Sequence, residues 1–361
     1  MTTHTPSSED RQLPGTPAGP PSGPEPTLEE WRDLFGAVIE FKELEPWKWM
    51  NEELFGVQDP ASGEIGWCCI TGALGEHFAL IVYRGDEGFR AWAALQLDPD
   101  FENEEEMLLY QHLVTASFED RELTSPKDRE VMKALGLRFR GRSAWPLLRS
   151  YLPGYFPWYL TADEARFLAI ALRQAIDVAK RFREEPAYLK PPGADQYLVR
   201  LFDGQHGMVW NDRWMAQLMP PAPLLHAPPI DSKRLAKIRR MPATHGVLEV
   251  GCFTMPGGVQ ESPGERPYLA RVVVVMDADS RMMLGTDTTG PLDLPEKLQE
   301  CLLSVLENIR MRPDEVRVED ESFVSVLKPI AGQLAIKLKL VDELTRVREA
   351  AAEFQRFAGM F

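Results

Sequence analysis

A chain of 361 residues, 44% of them apolar, can bury one or two sizeable cores, and domain-size statistics favour two. Its net charge of −15 opposes non-specific binding to nucleic acid, although a local basic face can still act. The longest apolar runs, such as residues 272–276, fall far short of the roughly 20 residues that cross a bilayer, so a cytoplasmic protein with no membrane partner is expected.

Residues 1–26, rich in Pro, Gly and Ser, lack the basic start and apolar core of a secretory signal and read as a disordered tail. Cys68, Cys69, Cys252 and Cys301 show neither C-x-x-C spacing nor a nearby histidine pair, and read as buried reduced thiols. The charge is unevenly spread, with net −16 over residues 28–120 and +6 over 121–190. Either the two blocks face each other within one domain, or the basic one is a recognition surface.

Residues 27–218 are expected to form an α+β domain. Thr27 and Glu30 make a capping box, and Trp31, Leu34, Phe35 and Val38 follow at helical spacing until Pro46. The runs IGWCCIT and FALIVY then read as a hairpin, and Gly72, Gly75, Gly85 and Gly88 as residues serving unusual backbone angles. No phosphate-cradling glycine motif lies between a strand and a helix. Residues 98–114 are expected to be a helix carrying Glu104, Glu105 and Glu106 in its first turn, on a solvated face.

The most unusual segment is 137–164. Arg138, Arg140 and Arg142 recur at period two, so as a strand they share one face, and Trp145, Arg149, Tyr155, Trp158 and Tyr159 interleave with them. Arginine with aromatic residues is how single-stranded nucleic acid or an acidic peptide is recognised. Arg138, Arg140, Arg142, Trp145, Arg149 and Trp158 are therefore the candidate binding residues, for a protein partner or nucleic acid. The other reading pairs these arginines internally with the acidic block. Thr161 and Glu164 open a second capped helix, residues from 195 read as a β-meander turning at Asp203-Gly204, and His206 stands alone with no role. Residues 219–241 read as a linker, Pro-rich and then basic.

From 242 to 361 the expected order is three strands, a helix with Pro295 near its start, a strand over 315–319, a short helix from Ser322 ended near Pro329 to Gly332, a strand over 334–340, and a last helix capped by Asp342. The string βββαβαβα predicts an α/β domain with a mixed sheet. This order, with RPDEVRVEDESFVSVLKPIAGQLAIKL, resembles the ribonuclease H-like domain of retroviral-type integrases and transposases. The resemblance implies two divalent metals, Mg or Mn, on acids of the first strand, the fourth strand and a helix. Carried over, these are Glu249, Glu319 or Asp320, and Glu349 or Glu353. The family normally has aspartate in the first strand and a D-x-N-G-type signature after the fourth, and this chain has neither. Asp277 and Asp279 fall in a hairpin turn.

From Trp31 onward the chain also resembles an uncharacterised bacterial family that pairs two domains of unknown function. PWKWM, LFGVQDP, SGEIGWC, FRGRSAWP, YLPGYFPW and RPDEVRVED carry that resemblance. The expectation is thus a non-catalytic intracellular binding or regulatory module without a cofactor, with a divalent-metal phosphodiesterase as the alternative. No G-x-S-x-G elbow or H-E-x-x-H helix supports other hydrolase chemistry.

Overall fold

The computed structural model describes residues 23–51, 53–97, 107–204, 209–221 and 225–358. They cluster into two compact units, one of residues 23–221 with 257–269, the other of 225–256 with 270–358. The protein is α/β, with mixed sheets and helices in both units.

The first unit is built on a seven-stranded sheet in the order β5-β4-β3-β2-β1-β6-β7. The strands are β1 (Phe55–Gln58), β2 (Ile65–Thr71), β3 (Ala79–Arg84), β4 (Leu113–Glu119), β5 (Trp145–Tyr151), β6 (Gln196–Asp203) and β7 (Val209–Ala216). Neighbours are antiparallel except β1 and β6, which are parallel. Side chains alternate across a pleated strand, so Cys68, Ile70, Leu80 and Val82 point to one face, and Trp67, Cys69 and Tyr83 to the other. The helices α1 (Leu28–Leu44) and α4 (Ala162–Glu184) cover the first face, and α2 (Gly85–Leu97) covers the second with Phe89 and Ala91.

Both expected capping boxes, at Thr27 and Thr161, are present. The acidic and basic blocks meet in part: Glu30 pairs with Arg166, Asp33 with Arg173 at 2.6 Å and Glu40 with Lys180 at 3.2 Å. A third helix, α3 (Pro126–Ala134), has its own capping box at Ser125 and Asp128.

Several local expectations change. Leu113 and Val114, placed by sequence in an acidic helix, belong to strand β4, where they are buried against β3 and β5. The first turn of that helix, with Glu104, Glu105 and Glu106, lies outside the described residues, as do residues 1–22 of the expected tail and His206. Gly72, Gly75 and Gly85 have positive φ, but Gly88 does not. A Cβ on Gly88 would sit 2.5 Å from the Tyr83 carbonyl carbon and 2.7 Å from the His112 oxygen, so close backbone approach requires glycine there.

The second unit has a five-stranded sheet in the order β10-β9-β8-β11-β12. Its strands are β8 (Ala243–Val259), β9 (Tyr268–Asp277), β10 (Met283–Thr289), β11 (Arg312–Val318) and β12 (Lys337–Leu340). β9 and β10 are antiparallel, whereas β8, β11 and β12 run parallel. The helices α6 (Leu294–Ile309) and α7 (Glu321–Leu334) bury Val273 and Val275, while α8 (Thr345–Ala358) lies over Val274 and Met276. Helix α5 (Ser232–Arg239), placed by sequence in a linker, buries Leu235 and Ile238 in this core. Residues 257–269, placed by sequence in the second domain, group with the first unit.

Helix α7 runs through Pro329 and ends at Leu334, two residues past the expected stop over 329–332. An interior proline costs about 3 kcal/mol. Phe323, Val326, Leu327, Ile330 and Leu334 form one fully covered stripe spanning the proline, and burying each such side chain contributes roughly 1.5–3 kcal/mol. Burial therefore outweighs the break. The last helix is not capped by Asp342; its first amides are taken by Glu319 and Glu249.

Candidate functional site

Helix α3 ends at Ala134, and Gly136, with φ of +73°, turns the chain so that the Leu137 N–H donates to the Met132 carbonyl at 2.9 Å. The segment 137–140 then runs with exposure alternating residue by residue. Leu137 and Phe139 pack against the core of the first unit, and Arg138 and Arg140 are exposed. Period two is thus kept, but these residues belong to no strand. Gly141, with φ of +101°, turns the chain again, and the Ser143 N–H donates to Asp120 Oδ1 at 2.7 Å.

The Phe139 ring lies 6.1 Å from that of Trp145 at an interplanar angle of 58°, and 6.4 Å from Phe35. Met132, Phe139 and Trp145 help to line an open groove of about 410 Å³, which Lys133, Arg138 and Arg140 also border. Among the described residues, neither Arg138 nor Arg140 makes an ion pair or a hydrogen bond.

The other predicted binding residues are spent differently. Arg142 is almost fully exposed and stands 3.9 Å from Asp120, a distance at which a surface pair contributes little. Arg149 forks onto Asp128 at 2.9 and 2.7 Å and lies over the Tyr159 ring at 5.0 Å. Burial pushes the Asp128 carboxyl up, but the Arg149 guanidinium and the Ser125 hydrogen bonds outweigh it and hold the group below its ordinary range. Trp158 exchanges both backbone hydrogen bonds with Ser150 at 2.9 Å, and its ring abuts Tyr159. Sequence reasoning missed Lys133 and Met132 on α3. Ser125-Pro126-Lys127-Asp128, a capping box with proline at the first helical position, was the available signal.

The acids carried over from the ribonuclease H-like resemblance, the donor set for Mg or Mn, are engaged within the fold. Glu249 Oε2 accepts from the N–H groups of Arg346 and Val347, and Glu319 Oε2 from that of Leu344 at 3.0 Å. Asp320 Oδ1 accepts from the Ser322 N–H and hydroxyl at 2.8 and 2.6 Å, capping α7. Glu349 takes the Arg346 guanidinium on both oxygens at 3.0 Å, and Glu353 is exposed. Asp277 binds the turn amides of Asp279 and Ser280. A hard divalent ion needs several oxygens converging at about 2–2.6 Å. Among the described residues, no three His, Cys, Asp or Glu side chains gather in that way. The donor set does not fit Mg or Mn.

The four cysteines are free thiols, with Cys68, Cys69 and Cys301 buried and Cys252 half-buried. Burial pushes the Cys301 thiol up to about 11, which keeps it protonated and unreactive. No helix of the described residues is long and apolar enough to cross a membrane.

Two family models match the chain, Domain of unknown function (DUF7309) over residues 31–200 and Domain of unknown function (DUF6930) over residues 234–355. No curated protein matches it. The chain therefore belongs to the proteins that pair these two domains of unknown function, DUF7309 followed by DUF6930.

Proposed function

We propose that this protein is a non-catalytic binding module whose recognition surface is the groove bordered by Arg138 and Arg140, and that its partner presents negative charge there. One observation carries the reading: two adjacent outward arginines stand without a counter-charge beside a groove floored by Met132, Phe139 and Trp145. In the same unit Arg149, Arg166 and Arg173 each have a carboxylate partner. A guanidinium fork with an aromatic floor suits carboxylate or phosphate groups. The order βββαβαβα supports reading the second unit as an inactive ribonuclease H-like domain, its acids spent on helix ends. Four unbridged cysteines suit a reducing, cytoplasmic setting.

The test is fluorescence anisotropy of labelled oligoglutamate and labelled oligothymidylate against the intact protein and the Arg138→Ala/Arg140→Ala double variant. Binding of either probe is expected to fall about tenfold or more in the variant and to weaken as salt rises. Binding that the double variant leaves unchanged would sink the proposal.

A further inference from the structure

We infer that the ligand of this groove is an acidic peptide segment held in extended form and hydrogen-bonded through its backbone to residues 138–140. The inference rests on the binding role proposed above and adds the class of partner. Buried backbone N–H and C=O groups are nearly always paired within the protein, whereas exposed ones are left to water or to a partner. Among the described residues, those of Arg138, Phe139 and Arg140 make no hydrogen bond. They nevertheless lie in a stretch whose alternating exposure is that of a strand. An unpaired extended edge is a template on which another strand adds.

The flanks limit how much of the ligand is read. Gly136 and Gly141 both have positive φ, and nothing lies within 4 Å of where either Cβ would be. The chain bends at both ends, leaving a short open edge between them. Residues opposite one another in paired strands share a face. Ligand residues facing Arg138 and Arg140 are therefore acidic, while those between them point toward Phe139 and the groove floor and are apolar. The ligand pattern is an alternation of Glu or Asp with apolar residues. A nucleic acid strand could meet the arginines but would leave the peptide groups unpaired, and the net charge of −15 disfavours a long polyanion.

The experiment measures anisotropy with the labelled peptide Glu-Phe-Glu-Phe-Glu-Phe-Glu, the same peptide N-methylated at every residue, and a short oligothymidylate, against intact protein and the double variant. The unmodified peptide is expected to bind best, losing about tenfold on N-methylation and about tenfold in the double variant. Circular dichroism of the variant, whose altered residues are exposed, checks that it folds. Equal binding of the N-methylated peptide would overturn backbone pairing but leave the groove as a binding site. Tighter, arginine-dependent binding of the oligothymidylate would overturn the peptide class alone. No binding of any probe would overturn both this inference and the binding role.

Discussion

The Glu249 carboxylate accepts a hydrogen bond from the backbone N–H of Arg346 at 2.8 Å, across 97 positions of sequence. Helix α8 begins at Thr345, so the acid of a central strand serves as its cap, with Glu319 taking the preceding Leu344 amide. Removing a capping oxygen costs about 0.5–2 kcal/mol, and a buried amide left unpaired costs roughly 1–3 kcal/mol. Glu249→Ala is expected to destabilise the second unit by about 2 kcal/mol, and Glu249→Gln, which keeps an acceptor oxygen, by less. All nine tryptophans lie within residues 31–214, so tryptophan fluorescence reports the first unit alone. Urea melts followed by circular dichroism should shift to lower urea. A variant as stable as the parent would mean that the cap contributes nothing.

The Glu315 carboxyl gives the second unit a pH dependence with a defined sign. Hydrogen bonds from Lys337 at 2.8 Å and Arg317 at 2.7 Å hold it down at about 2, below its ordinary value near 4.3. A depressed acid stabilises the fold above its unfolded value, and that stability is lost as pH falls from about 4.5 toward 2. Lys337 is largely exposed, so screening limits the contribution to about 1 kcal/mol. Glu315→Gln should flatten the fall in stability between pH ~4.5 and ~2 relative to the parent. Parallel acid titrations of the two proteins would refute it.

Local signals were legible in the sequence and distant ones were not. The capping boxes at Thr27 and Thr161 are four-residue patterns with a mechanism, and both helices start where those patterns put them. The same pattern at Ser125 was there to be read and would have placed Lys133 and Met132 beside the arginines. Phe139 and Arg140 could be ordered by period two, because alternation survives even where no neighbouring strand pairs with the chain. The acids resisted. Glu249 looked like a metal ligand because its amide partners lie 97 and 98 residues away, and no local rule pairs a strand glutamate with a helix end that remote.

Arg149 and Arg138 should separate structure from recognition. Arg149 is half-buried, forked onto Asp128 and stacked on Tyr159, so Arg149→Ala leaves a carboxylate without its partner. A loss of about 2–3 kcal/mol in the first unit is expected by fluorescence-detected urea melts. Arg138→Ala and Arg140→Ala, at exposed positions without partners, should stay within about 0.5 kcal/mol of the parent. Equal losses at all three positions would make the groove arginines structural.

Arg266 carries the largest expected effect in the first unit. Its guanidinium is buried, with Nε donating to the Phe156 carbonyl at 2.8 Å, Nη1 to Ser150 Oγ at 3.3 Å and Nη2 to the Ser150 carbonyl. Ser150 Oγ in turn donates to the buried Glu164 at 2.7 Å. Burial lowers the Arg266 group to about 10, with Glu164 opposing that shift. A base depressed in the folded state makes stability rise with pH only above about 10, where the unfolded chain still holds the proton. The cost of Arg266→Ala, expected at about 3 kcal/mol or more, should therefore be flat from pH 5 to 9. Since residue 266 lies beyond 221, a fragment of residues 23–221 lacks the same contacts, and its fluorescence-detected melt should fall at least as far as that of the full-length variant. A fragment melting with the intact protein would show that Ser150 and Glu164 do not depend on Arg266.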